Sequence, residues 1–172
     1  MPIAPAVTPS RKLSHLRNIE LFDDATPTEL VELTRAFDLC TAHPGQTLQA
    51  QDVPVRRWNV IATGHVLVAR DGAPLGVLGR GQSWSDHSIL NGQRSPISAA
   101  AFSPVTLLSI NSRRLLTLLE SHPGLRERIE SRSADSADRL ALPFYRALTH
   151  MSEHEDEEAN RRAAFEPVLL PH

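Results

Sequence analysis

Between residues 43 and 110 the sequence is a series of short strand-like runs at roughly ten-residue intervals, each closed by a turn signal. Pro44-Gly45 turns the chain into Thr47-Leu48-Gln49-Ala50. Residues 58–62 read as a strand, Gly64 separates them from residues 65–69, and Asp71-Gly72 closes a hairpin onto residues 74–78. Two more strands follow at 97–102 and 105–110, with Ser103-Pro104 turning between them. Short strands punctuated this regularly argue for a β-sandwich or barrel.

Helical spacing brackets the strands. Leu13, Leu16 and Ile19 recur at three-residue intervals ahead of Leu21-Phe22. Thr26-Pro27-Thr28-Glu29 is a helix start, with Thr26 as cap, Pro27 at the first position and Glu29 three residues on. Leu30, Leu33 and Phe37 form its apolar stripe, and the spacing predicts an end between Phe37 and Leu39. After the strands, Asn111-Ser112 caps a segment carrying Leu115, Leu116, Leu118 and Leu119, which stops at His122-Pro123-Gly124. Residues 125–131 read as a second short helix. Helical spacing continues over 135–142 until Pro143 interrupts it, and residues 153–158 are an acidic run. The expected organisation is a tail at 1–12, one domain at 13–132, and a helical extension with an acidic tail at 133–172.

Composition narrows the function classes. A net charge of −2 on 172 residues gives no basic field for nucleic acid. The one cysteine, Cys40, allows no internal disulfide and suits a reducing, cytoplasmic compartment. No apolar run reaches the roughly 18 residues needed to span a bilayer. Residues 1–10 are rich in Pro and Ala without the pattern of a signal peptide. Cys40 lies in no nucleophile signature, and His150 with His154 reads as a solvated polar face, so neither an enzyme nor a metal site is expected.

The segment from Gly81 to Ser95 stands apart. Between two strand signals it carries one acid, several hydroxyls, glycine and Arg94. An arginine fork beside backbone N–H groups at a short helical turn suits a small anion.

The order of these signals resembles the cyclic nucleotide-binding domain family. Leu21-Phe22-Asp23-Asp24 before Thr28-Glu29-Leu30 is similar to the family's opening, and Pro44-Gly45-Gln46-Thr47-Leu48 to its first turn. Residues 58–66 resemble its Gly-centred strand pair, and Gly81-Gln82-Ser83-Trp84-Ser85-Asp86 stands where the family has G-D-x-F-G-E. The resemblance implies an eight-stranded β-roll of jelly-roll type, mainly β with N-terminal and C-terminal helices. It makes Ser85 to Ser95 a phosphate-binding cassette, with Ser85, Asp86, His87, Ser88, Arg94 and Ser95 as candidate ligand residues. Asp86 falls on the ribose-binding acid, Arg94 on the phosphate arginine, and Ser95 on a serine whose hydroxyl and N–H both reach phosphate; Trp84 takes a core aromatic position. The implied ligand is cAMP or cGMP, with no other cofactor.

Departures from the family pattern leave two readings open. Ser85 replaces glycine; a positive φ there would cost serine about 1 kcal/mol. Asp86 is one methylene shorter than glutamate, Pro96 removes an N–H, and Gln51-Asp52 lacks the usual glycine. The chain is either a regulatory module sensing a cyclic mononucleotide and signalling through its C-terminal helices, or a non-binding scaffold for protein interaction or dimerisation. A protein partner and a homodimer through residues 115–142 are expected. DNA binding is not: the forty residues after Arg132 (172 minus 132) are too few for a dimerising helix and a winged helix-turn-helix.

Overall fold

The computed structural model describes residues 9–132. The chain starts with α1 (Pro9–Arg17) and a 3-10 turn at Glu20–Phe22, which bury Leu16, Ile19, Leu21 and Phe22. Helix α1 begins at Pro9, ahead of the boundary expected at residue 13. Helix α2 (Pro27–Ala36) opens on a complete capping box: Thr26 Oγ1 accepts from Glu29 N–H at 3.2 Å, and Thr26 N–H donates to Glu29 Oε2 at 2.8 Å. The 38–39 end of that helix needs correction, because Asp38 begins a strand, β1 (Asp38–Ala42). This strand has no alternation of buried and exposed residues, so periodicity could not reveal it.

Six further strands follow: β2 (Thr47–Gln49), β3 (Arg57–Thr63), β4 (Val66–Arg70), β5 (Ala73–Leu78), β6 (Ser98–Ala101) and β7 (Val105–Asn111). All pair antiparallel, in sheets ordered β1-β7-β3 and β2-β6-β4-β5. Among the described residues there are thus seven strands rather than eight; Ser83 contributes only an isolated bridge to Val60. Asp71 and Gly72 both have positive φ, as a two-residue hairpin turn needs.

Two cores result from the pleat. One face of β3 and β7 presents Trp58, Val60, Leu108 and Ile110 to Leu16, Phe22, Phe37, Leu115 and Ile129 from the helices. The other face presents Ile61, Val105 and Leu107 to Val66, Val68, Ala99 and Ala101 of the second sheet. Both faces of β3 are covered, and its five central residues are buried. Helix α4 (Ser112–Ser121) is capped by Asn111, whose Oδ1 accepts from Arg114 N–H at 2.8 Å, and residues 123–132 are helical after it. Expectations for residues 133–172, including the acidic run and the His150–His154 pair, lie outside the described residues.

Candidate functional site

The segment between β5 and β6 is hung from the middle of β3. Ile61 N–H donates to Gln82 O at 2.9 Å, and Gly81 N–H donates to Ile61 O at 2.7 Å. Trp84 then inserts between the sheets, 5% exposed, in the packing role the sequence predicts. Ser85 follows in the left-handed region (φ 58, ψ 28) and leads into the short helix α3 (Asp86–Leu90). The backbone therefore does adopt here the conformation that favours glycine, and serine bears its strain.

Asp86 does not face outward. It is 8% exposed, and its Oδ1 accepts from the Trp58 indole N–H at 2.7 Å. A buried indole needs an acceptor, and Asp86 is the group within reach. Burial pushes its carboxyl above the usual aspartate range, against hydrogen bonds from Trp58 and Ser83 and the positive charge of Arg132. The residue expected to meet a ribose hydroxyl is thus engaged with the core.

Arg94 and Ser95 lie side by side in sequence but differ in setting. Arg94 is exposed; its Nη1 donates to the carbonyl of Asp52 at 2.6 Å, and its backbone bridges Pro54. Ser95 is fully buried. Its hydroxyl donates to Ile97 O at 2.6 Å and lies 2.8 Å from the Ser85 hydroxyl, while its N–H donates to Val53 O at 2.9 Å. Asp52, with φ 60, occupies the turn where glycine was missing. Ser88 is buried, and its carbonyl accepts from Gln93 N–H at 2.7 Å. His87 is exposed and hydrogen-bonds Asn91, through ring Nδ1 at 3.4 Å and through its carbonyl, which accepts at 2.8 Å.

Two participants escaped sequence reasoning. Trp58 reads as a plain core aromatic, since nothing in a linear sequence pairs it with an acid twenty-eight residues away. Arg132, in the C-terminal helical segment, donates through Nη2 to Gly81 O at 2.9 Å, tying that segment to the approach of the cassette. Burial pushes the Cys40 thiol up, the opposite of an activated nucleophile, and no group of three or more metal-ligating side chains forms among the described residues.

A family model described as the cyclic nucleotide-binding domain matches residues 39–122. This stretch is a cyclic nucleotide-binding domain. The catabolite activator protein of Thermus thermophilus superposes with a TM-score of 0.62 at 22% identity, over 71% of this chain and 60% of that one. The regulatory domain of Toxoplasma gondii protein kinase A, crystallised with cAMP, gives 0.66 at 10% identity, over 74% and 50%. The regulatory subunit of a cAMP-independent protein kinase A from Trypanosoma brucei gives 0.64 at 16% identity, over 82% and 51%. At these identities the likeness is one of fold, and the chain spans 50–60% of the length of these three. A search among curated protein sequences gave no match. The two-sheet roll with flanking helices is the fold expected of that family. No helix among the described residues is long and apolar enough to cross a membrane.

Proposed function

We propose that this domain is a regulatory module that senses a cyclic mononucleotide at residues 85–95. The observation that carries the reading is the state of Arg94. It is an exposed, permanently charged fork held by a backbone carbonyl, with no carboxylate partner among the described residues. A phosphate arriving beside it exchanges a neutral acceptor for an anionic one, and charge-assisted bonds are about twice as strong as neutral ones. The linked Ser85 and Ser95 hydroxyls supply a second contact once they turn outward. Release of Asp52 would loosen the turn before β3. The bond from Arg132 to Gly81 gives the C-terminal helical segment a way to feel that change and pass it to a protein partner or a second copy. A cytoplasmic setting accords with the free Cys40.

A second reading is a scaffold whose cassette no longer binds. It draws on Asp86 and the Ser95 N–H, whose hydrogen bonds are made within the protein. Thermal denaturation with cAMP or cGMP separates the two. A ligand at 100 times its Kd stabilises by about 2.7 kcal/mol, so sensing gives a clear rise in Tm at about 1 mM nucleotide. An unchanged Tm with both nucleotides leaves the scaffold.

A further inference from the structure

A second site lies where the two sheets part. Strands β1 and β2 are edges of different sheets, and between them runs a groove of about 420 Å³ that shares no lining residue with 81–95. Its floor carries the polar pair Asn59 and Ser109 on neighbouring strands. Asp38 and Asn59 both pair with Ser109, on the face of β3 and β7 that elsewhere carries Ile61, Leu107 and Val105. Asn59 is only 9% exposed and lines the groove, yet its amide makes no hydrogen bond among the described residues. The amide opens onto the groove, so its donors and acceptor are free to meet a ligand. Ser109, 2% exposed, accepts from Arg57 Nε at 2.7 Å, which leaves its own hydroxyl proton to donate.

The charges at the mouth are unequal. Arg57 is neutralised by Asp38 through a 2.7 Å pair. Arg56, beside it and also lining the groove, has no side-chain partner among the described residues. One cation is therefore in excess over a floor rich in donors: the Asn59 amide, the Ser109 hydroxyl and the Arg57 fork. Leu48 and Leu107 supply apolar wall next to it. A volume of this size holds a small molecule.

We propose that the groove between β1 and β2 binds a small organic anion, a phosphate monoester or carboxylate with an apolar body, through Arg56, Arg57, Asn59 and Ser109. The groove shares no lining residue with the cassette, although its Val53 and Pro54 meet the backbone of Ser95 and Arg94. Phenyl phosphate is the probe, with phenol as the uncharged control, titrated into the isotope-labelled full chain while the side-chain resonances of Asn59 and Arg57 are followed by NMR. The expected result is a saturable shift of both resonances with phenyl phosphate and none with phenol. Arg56→Ala weakens binding about tenfold or more, through loss of a charge-assisted contact, and Arg94→Ala leaves it unchanged. Arg56 is exposed, and only its backbone carbonyl is used, accepting from Ser112 N–H, so this variant keeps the fold. Absence of a saturable shift, an equal response to phenol, or binding that follows Arg94 rather than Arg56 each overturns the proposal.

Discussion

The indole N–H of Trp58 and the carboxyl of Asp86 meet at 2.7 Å in the interior, joining the start of β3 to the first residue of α3. This bond fixes which way the cassette acid points, and it has a measurable pH signature. Burial raises the folded-state pKa of Asp86 above the unfolded value near 3.8, so its contribution to stability is fully present below that value and is lost as pH rises through the folded one. Asp86→Asn keeps an acceptor for the indole and removes the buried charge. We expect its Tm to exceed that of the unsubstituted protein near neutral pH and the gain to disappear in acid. Trp58→Phe strands the carboxyl and should destabilise by about 1–3 kcal/mol by urea denaturation.

The opposite pH dependence comes from Glu29. The Thr26 backbone N–H, with lesser help from His122 and the Thr26 hydroxyl, holds its carboxyl below the usual value of 4.5. A depressed carboxylate contributes stability above the unfolded pKa and loses it as pH falls through the folded one. Glu29→Gln should flatten acid unfolding below pH 4.5, read as Tm against pH. His122 spans both Glu29 Oε1 at 3.2 Å and Glu32 Oε2 at 2.7 Å, tying α2 to the end of α4. His122→Ala should therefore lower Tm.

Gly64 tests the packing of the roll. Its φ is +87, and a Cβ there would strike the Pro104 carbonyl and approach Val105 Cγ1 to 2.8 Å. Both the backbone conformation and the space require glycine. Gly64→Ala should cost about 2–4 kcal/mol, measured by chemical denaturation.

The roll was legible because its signals are local. Asn111 and the Thr26–Glu29 box are caps written in consecutive residues, and Asp71-Gly72 is a turn with one main solution. Strand β1 was not legible, since its fate is decided by pairing with β7 some seventy residues later. The site divided the same way. The left-handed Ser85 and the exposed Arg94 follow from position in the motif. That Asp86 turns inward, and that Ser95 gives its N–H to Val53, depends on which buried donors and acceptors meet in three dimensions.

The proposed nucleotide sensing rests on Arg94, and calorimetric titration of cAMP and cGMP into the unsubstituted protein and Arg94→Ala tests it most directly. The expected result is saturable binding by the unsubstituted protein, weakened by about 2 kcal/mol, roughly thirtyfold, in the variant. Equal affinity in the two proteins, or no heat of binding from either nucleotide at about 1 mM, would contradict it.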